Sequence, residues 1–347
     1  GFDTAKRGVQ HFIAEMLAPG RRGERADRAA LEAMIREWDA RLSIQVDEIL
    51  HHRDFQRLES AWRALHRLVD RVDIDSNVRV EMVHCSKDDL ATDFEDSPDI
   101  TRSGFCRQVA PEMRHDPGAP VGLIVADYEF SHSPQDVALL QKVTEVAAWA
   151  HAPFVAAASP QMFTMDDWQG LSKYTDVASV FAGPRHARWQ AFRESDEARY
   201  AGLCLPRFML RAPHGEATTP ARGFRYEEDA AGQYDRYLWG NAAFLFAERV
   251  VASIARCGLP SEIVGVAEGG YVDGLPCHAY DTFDARGTVL SVDGEVSLRR
   301  EYELSYEGFI SLVHHEASGG AAFLSAGGCR KLRYFGPNGR QQEVDDS

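Results

Sequence analysis

The first 75 residues carry apolar positions at helical spacing. One helix is predicted over about residues 3–17, with Pro19 and Gly20 as the signal that stops it. A second helix is predicted to begin near Asp27, which is suited to be its N-cap. Its apolar residues recur every three or four positions: Leu31, Met34, Ile35, Trp38, Leu42, Val46 and Ile49. The pattern therefore predicts a helical region over residues 1–75.

A third helix is predicted from about Asp54, and its apolar residues form a heptad stripe. The stripe consists of Phe55, Leu58, Trp62, Leu65, Val69 and Val72, at steps of 3, 4, 3, 4 and 3. Such spacing is typical of a helix that packs along another helix. Two interpretations remain open at this point: the stripe packs inside its own domain, or it forms an arm that binds a partner chain.

From Asn77 onwards the pattern changes to strands that alternate with helices. Residues 78–83 alternate between apolar and polar, which predicts a half-buried strand. Ser86, with an acidic residue three positions later, has the pattern of a capped helix start. Residues 121–126 form an apolar run that ends at Asp127, as expected for a buried strand.

The next segments predict a βαβ unit. Ser133 and Pro134 open a helix, and residues 154–158 form the strand that follows it. A parallel pair with a right-handed crossover is expected from this order. Further predictions are a strand at 202–205, a long loop over 212–235, an apolar helix over 238–257, a strand at 263–267 and a helix at 301–306 that ends before Gly308.

Together these elements predict the fold class and four parts of the chain. The fold is predicted to be α/β (α+β mixed), with a helical region followed by a mixed, partly parallel sheet flanked by helices. The predicted parts are residues 1–75, a helical arm; 76–210, an α/β core with the βαβ unit; 211–335, a second α+β part; and 336–347, a polar tail.

Composition and charge narrow the classes of function. The 347 residues are 44% hydrophobic and 26% charged, which excludes wholesale disorder. A net charge of −15 disfavours binding to nucleic acid and to an anionic membrane surface. The sequence contains no run of 18 apolar residues, so no transmembrane helix is predicted. The six cysteines form no CxxC pair, so we expect reduced thiols in a cytoplasmic protein.

Candidate catalytic residues are few, and familiar nucleotide, hydrolase and metalloprotease motifs are missing from the sequence. Asp127 follows a buried strand and could form an acid–base cluster with Glu129 and His132. Cys277 and His278 are adjacent, but neighbouring residues of a strand point to opposite faces. An α/β hydrolase-like or metal-dependent enzyme using Asp127, His132 or His278 is therefore the alternative from another class. For Asp127, a purely structural role in capping a nearby turn is the competing interpretation.

A charged segment favours a structural role instead. Residues 192–200 contain five charges beside aromatic residues, which is typical of a solvated helix face with weak ion pairs. Such a segment can also bridge subunits, because complementary charges set the register of two chains. The residues that could do so are Arg193, Glu194, Glu197 and Arg199.

Six blocks of the sequence, taken in order, resemble the large subunit of the type VI secretion contractile sheath (the TssC/VipB/EvpB family). The blocks are residues 58–65 (LESAWRAL), 127–134 (DYEFSHSP), 150–160 (AHAPFVAAASP), 193–208 (beginning RESDEARY), 239–243 (WGNAA) and 274–278 (GLPCH). No single block is decisive, but the ordered set is specific and spans about residues 6–332.

The resemblance implies a tail-sheath-like fold and a role without catalysis or cofactor. Family members pair with a small sheath subunit, and the pairs stack as a helical sheath around a tube of hexameric rings on a baseplate. The sheath shortens in the bacterial cytoplasm to drive the tube and its effectors outward, and an AAA+ ATPase then dismantles it through the small subunit. On this basis Phe55, Leu58, Trp62, Leu65 and Val69 are expected to contact the small subunit.

The resemblance also implies family segments beyond both ends of this sequence, which pair with neighbouring subunits and complete the domain facing the tube. We therefore expect this chain to lack the family's terminal extensions. A sheath-derived adaptor, which binds a partner without polymerising, is a further alternative.

Overall fold

A computed structural model of the chain describes residues 28–73, 75–110, 120–230, 233–280, 288–315, 319–331, 334–335 and 341–342. The predicted helix at 3–17, the N-cap at Asp27 and nearly all of the tail after 335 lie outside these residues. The chain divides into two compact units, one of residues 1–52 with 213–229 and one of residues 53–212 with 230–347. The predicted division into four parts stays a prediction.

The first unit is built on helix α1, Arg28–Leu50, which confirms the second predicted helix. The loop of residues 213–229 closes on the C-terminal half of this helix. Tyr226 Oη donates a hydrogen bond to Asp47 Oδ1 at 2.6 Å, and Glu228 lies 3.1 Å from His51 Nε2. Towards the other end of the helix, Ile35 and Trp38 remain exposed.

The second unit contains a six-stranded sheet in the order β1-β2-β3-β9-β10-β6. Its strands are β1 Ile124–Phe130, β2 Phe154–Ala158, β3 Ala201–Leu205, β6 Tyr271–Val272, β9 Phe309–His315 and β10 Gly320–Phe323. The first four in spatial order pair in parallel, and β10 pairs antiparallel with both β9 and β6. The predicted mixed, partly parallel sheet is confirmed, as is the parallel pair of the βαβ unit.

Helices cover both faces of this sheet. The helices of this unit are α2 Arg53–Asp70, α3 Lys87–Asp96, α4 Gly104–Val109, α5 Pro134–Trp149, α6 Ala178–Phe181, α7 Ala187–Arg193, α8 Ala242–Cys257 and α9 Leu298–Tyr306. Successive residues of a strand point to opposite faces. Phe154 and Ala156 therefore belong to the apolar cluster that contains α5, and Val155 belongs to the cluster that contains α8.

Side-chain caps fix several helix starts where the sequence predicts them. Ser86 and Asp89 form a capping box at the start of α3. Ser133 Oγ accepts a hydrogen bond from the backbone N–H of Asp136, at 3.1 Å, to start α5. Gly308 follows α9 with a φ of +85°, a left-handed conformation that glycine adopts without steric cost.

Smaller elements complete the second unit. The strands β4 Phe208–Arg211 and β5 Leu238–Gly240 pair with each other, as do β7 His278–Tyr280 with β8 Thr288–Leu290, and β11 Tyr334–Phe335 with β12 Gln341–Gln342. Short 3₁₀ turns lie at Ile100–Arg102, Pro160–Phe163, Trp168–Lys173, Pro184–His186, Glu197–Tyr200 and Tyr234–Arg236.

Three sequence predictions are wrong in detail. Residues 78–83 are not in a strand, since they pair with none of the described strands. Residues 263–267 form turns, since Gly265 takes a left-handed φ of +80°. The apolar run from 238 divides into β5 and α8, because the Asn241 side chain accepts from the N–H of Ala243 and caps the helix there.

Candidate partner interface

One face of helix α2 is firmly anchored in the second unit. Ala64 and Leu68 are buried, and Leu68 packs with Val251 of α8. On the same side of the helix, Ser60 Oγ donates a hydrogen bond of 2.8 Å to the carbonyl oxygen of Trp239. The helix is therefore held by apolar and polar contacts together.

A buried carboxylate on α8 strengthens this anchoring. Glu248 has no exposed surface, and its Oε2 accepts from Arg67 Nε at 2.9 Å. Arg249 Nη2 lies 2.5 Å from the other carboxylate oxygen, and Arg71 Nε lies 3.7 Å from it. Arg67 also donates to the carbonyl oxygen of Asp273 at 2.9 Å. Since an unpaired buried charge is strongly destabilising, these arginines stabilise α2 in one position.

Glu59 joins α2 to strand β4. Arg211 Nε donates to Glu59 Oε1 at 2.8 Å, and Arg63 Nε donates to the same oxygen at 2.7 Å. Burial by itself would raise the pKa of Glu59, but the hydrogen bonds and charges of Arg211 and Arg63 outweigh it and lower the pKa. Glu59 is thus held in its charged form at neutral pH.

Most of the heptad stripe lies beside this anchored face and is exposed, whereas Val72, just after α2, packs with the cluster that contains Leu68. Leu58 and Trp62 are 56% and 57% exposed, and Phe55 and Val69 are also exposed, whereas Leu65 is half-buried. Buried Ala64 and Leu68 each precede a stripe residue by one position, which is about 100° around a helix. The anchored face and the stripe are therefore separate surfaces of the same helix.

This stripe has the properties of an interaction surface. A contiguous exposed apolar patch on a folded unit is typical of a site that binds another protein. Tryptophan is among the residues that most often dominate such interfaces. Because α2 is anchored on its other side, the stripe is presented on a fixed support.

The charged segment at 193–199 is divided between the interior and the surface. Arg193 is buried: its Nη1 lies 2.5 Å from Glu307 Oε2, and its Nη2 donates to the carbonyl oxygen of Tyr306 at 2.8 Å. Burial raises the pKa of Glu307, although the charge of Arg193 opposes this effect. Arg193 therefore joins α7 to α9 and is not exposed for a partner.

The other three residues of this segment are accessible. Glu194 is exposed and lies 3.3 Å from Lys331 Nζ, and Glu197 is half-buried. The guanidinium of Arg199 lies 5.1 Å from the centre of the Tyr200 ring, a cation–π contact. These side chains form a solvated surface with internal charge partners.

Two of the residues proposed for the enzyme alternative, Asp127 and His132, are held by different partners. Asp127 Oδ1 lies 3.4 Å from Asn241 Nδ2, and burial raises the pKa of this carboxyl group. His132 Nδ1 lies 2.5 Å from the carbonyl oxygen of Gln161, so the two residues have different partners. The side chain of His278 lies outside the described residues. A depression of about 290 Å³, lined by Met165, Asp166, Asp167, Gly170 and Tyr174, contains none of the three.

The described residues lack two kinds of feature. They contain no group of three or more His, Cys, Asp or Glu side chains placed to hold a metal ion. Among the helices they form, none is long and apolar enough to cross a membrane.

Two exposed apolar features were missed by the sequence analysis. Val80, Met82 and Val83 are exposed, although their alternation predicted a half-buried strand. Leu298 and Tyr302 on α9 are more than 70% exposed. Their spacing of four residues was the signal that could have identified this second surface.

Comparison with known proteins gives the family. The family model described as VipB, EvpB/VC_A0108, tail sheath N-terminal domain, matches residues 32–330. The type VI secretion system sheath protein TssC1 of Pseudomonas aeruginosa is 38% identical over 313 residues, which cover 87% of this chain. The chain spans 62% of the length of that relative. Since the family model matches most of the chain, the chain belongs to the VipB (EvpB/VC_A0108) tail sheath family.

Proposed function

We propose that this chain is a structural subunit of a type VI secretion contractile sheath. The observation that carries the proposal is its similarity, over most of its length, to a sheath protein of this secretion system. In this role the chain pairs with a small sheath subunit in the cytoplasm. The pairs stack around the inner tube on a baseplate, and contraction delivers effectors. An AAA+ ATPase acts on the assembly through the small subunit, and the chain itself has no catalytic role.

The α2 stripe is the surface proposed to bind the small subunit. Phe55, Leu58, Trp62, Leu65 and Val69 lie along one side of a helix whose other side is anchored. A helix of the partner could bury this stripe in the manner of a coiled coil. The accessible charges Glu194, Glu197 and Arg199 are proposed to help set the register of neighbouring subunits, where charge complementarity contributes more to specificity than to strength.

Trp62 allows an estimate of how much binding free energy this contact provides. Loss of a central tryptophan from an interface commonly costs about 2 kcal/mol or more. A loss of this size corresponds to about a 30-fold increase in Kd. In the chain alone the same loss should change stability little, because Trp62 is already exposed to solvent.

The test is co-purification of this chain with a small sheath subunit. We expect Trp62→Asp to abolish co-purification, because a carboxylate cannot be buried in an apolar contact without a partner. Trp149→Asp is the matched control, since Trp149 is also an exposed tryptophan, 42% accessible, at the end of α5. Equal yields from Trp62→Asp and the unsubstituted chain would contradict the assignment of the stripe.

Electron microscopy separates the sheath role from the adaptor role. Tubular polymers are expected when the full-length form of this protein is mixed with its small partner. A stable pair that never polymerises would instead support the adaptor. Turnover of a substrate that depends on Asp127 would support the enzyme alternative.

A further inference from the structure

His186 is a buried histidine whose two ring nitrogens have different surroundings. It is 2% exposed and ends the turn Pro184–His186, just before α7. Its Nε2 lies 2.9 Å from the carbonyl oxygen of Met162, and because that oxygen can only accept, Nε2 carries a proton. Its Nδ1 is buried without a hydrogen-bond partner in the described part of the chain. A second proton on Nδ1 would be an unpaired buried donor, so this arrangement suits the neutral ring.

A second histidine ring lies against His186. His132, between β1 and α5, has its ring centre 5.1 Å from that of His186. Its Nδ1 donates to the carbonyl oxygen of Gln161 at 2.5 Å. Gln161 and Met162 both belong to the turn Pro160–Phe163. The two histidines therefore bind neighbouring carbonyl oxygens of one turn.

Buried phenylalanines complete the environment of the His186 ring. Phe181 of α6 lies edge to face with it, at 5.0 Å between ring centres. Phe163 and Phe309 pack against Phe181 in turn, at 5.3 Å and 5.6 Å. All three phenylalanines are buried. A charge on His186 would therefore lie beside an apolar cluster, where it loses the solvation that water provides.

The elements packed around His186 carry no acidic residue. The turn Pro160–Phe163 and helix α6 contain no charged residue. The charged residues of the turn Pro184–His186 and of α7 are all arginines: Arg185, Arg188 and Arg193. These elements therefore offer no carboxylate to a proton on His186.

Two acidic residues flank His132 in the sequence. Glu129 is exposed on β1. Asp136 is paired with Lys87 at 2.5 Å, and it also accepts a hydrogen bond of 2.7 Å from the backbone N–H of Ser131. The carboxylate at the start of α5 therefore already has its own partners.

These surroundings shift the pKa of His186. Burial lowers the pKa, the hydrogen bond to Met162 opposes this effect, and the charges of His132 and Arg185 lower the pKa further. A solvated histidine has a pKa of about 6.5. When the ring is released into water it therefore binds a proton more readily than in the closed structure. Closure is fully favoured above about pH 6.5 and weakens as the pH falls below that value.

The two turns have fewer hydrogen bonds than the sheet beside them. The N–H of Met162 donates to the carbonyl oxygen of Ser159 at 2.9 Å, and that of His186 donates to Gly183 at 3.0 Å. Strand β2, by contrast, pairs with a neighbouring strand on each side. Segments with few contacts open at a lower free energy than core strands do. We therefore expect these turns to open before the sheet does.

We propose that His132 and His186 form a pH-sensitive latch, in which the neutral His186 ring holds the turns Pro160–Phe163 and Pro184–His186 together and a proton on that ring separates them. The latch is closed near neutral pH and opens in acid. This inference goes beyond the proposed function, because it concerns the interior of the second unit and involves no partner. It can fail while the Trp62 result holds, and the reverse is also possible.

Hydrogen–deuterium exchange of the full chain tests the latch. It is measured at about pH 7.5 and at about pH 5.5, on either side of the pKa of a solvated histidine, and corrected for the intrinsic exchange rate at each pH. The backbone amides of Met162 and His186 are the reporters, and those of β2 are the internal reference. Relative to β2, we expect the protection of the reporters to fall severalfold in acid. One proton allows at most about a tenfold change per pH unit.

Three glutamine variants separate the latch from general effects of acid. His186→Gln keeps a donor for the Met162 carbonyl oxygen but does not titrate, so the fall in acid should vanish. His132→Gln removes one of the charges that oppose the proton, so the fall should be smaller. His66→Gln is the matched control, because His66 is exposed on α2, and it should behave as the unsubstituted chain does. Far-UV circular dichroism checks that each variant folds.

Four results would overturn the proposal. The first is an unsubstituted chain whose reporters keep their protection in acid. The second is an equal fall in β2, which would show that acid unfolds the whole unit. The third is the same fall in His186→Gln as in the unsubstituted chain, which would show that another group takes up the proton. The fourth is the same fall in His132→Gln, a comparison that still decides the matter if His186→Gln does not fold.

Discussion

At the scale of single residues, Arg193 shows how a charged side chain can belong to the interior. Its guanidinium lies 2.5 Å from Glu307 and donates to the carbonyl oxygens of Tyr306 and Cys329. In the sequence Arg193 stands in a run of charged residues, a pattern that is typical of a solvated surface. Only the position of α9, which is distant in the sequence, supplies the carboxylate that makes its burial tolerable.

Arg193→Met should therefore act on folding. We expect it to lower the free energy of unfolding by about 3–5 kcal/mol, since it leaves the buried Glu307 carboxylate without its cation. Arg199→Met is the matched control, because Arg199 is exposed and its loss should change stability by no more than about 0.5 kcal/mol. Urea unfolding followed by tryptophan fluorescence measures both. The double variant Arg193→Met with Glu307→Leu should recover much of the loss, and similar stability of both single variants would contradict this assignment.

At the scale of elements, two faces of helix α2 have different surroundings. Ala64, Leu68 and the arginines around Glu248 stabilise its position, while the heptad stripe is left exposed. Both surfaces derive from one sequence of 18 residues. An exposed stripe on an anchored helix presents its side chains to a partner from a fixed support.

Leu58→Ala and Leu68→Ala make the same substitution on these two surfaces. Leu68 is 6% exposed, so its truncation should cost about 2–5 kcal/mol of folding stability by leaving a cavity. Leu58 is 56% exposed, and its truncation should cost about 0.5 kcal/mol or less in the chain alone. Leu58→Ala should instead weaken binding of the small subunit. Chemical denaturation and a binding titration measure the two effects, and equal losses of stability would show that the stripe packs inside the chain.

The sequence predicts the helical stripe, but it does not show whether the stripe packs inside its own domain or against a partner chain. Periodicity locates an apolar face, yet Phe55, Leu58 and Trp62 would show the same spacing in a core or at an interface. The face that is in fact anchored contains Ser60, Ala64 and Arg67, which carry little apolar signal. The contacts of this face depend on α8 and β5, which the chain reaches about 180 residues later.

The strands show the same limit. Residues 154–158 were predictable because a continuous apolar run between turn signals is buried on both faces of a parallel sheet. Residues 78–83 have a valid strand pattern, but a pattern cannot state whether a neighbouring strand is present. Asn241 is a typical helix cap, and it divides the apolar run from 238 into a strand and a helix.

At the scale of the whole molecule, two opposing tendencies act on the chain. A net charge of −15 makes copies of the chain repel one another. Exposed tryptophans at positions 38 and 62, together with other apolar side chains, favour association. The charge repulsion depends on ionic strength and the apolar association hardly does. Salt should therefore decide which of the two prevails when no partner is present.

We expect the chain without its partner to self-associate as salt is added. The Debye length falls from about 30 Å at 0.01 M salt to about 3 Å at 1 M, which removes the repulsion between acidic surfaces. Sedimentation velocity should show monomer at the lower salt and larger species at the higher. Trp62→Asp should suppress these species, whereas Trp149→Asp should not. Dissociation on adding salt would show instead that ion pairs hold the copies together, and the α2 stripe would then have no part in their association.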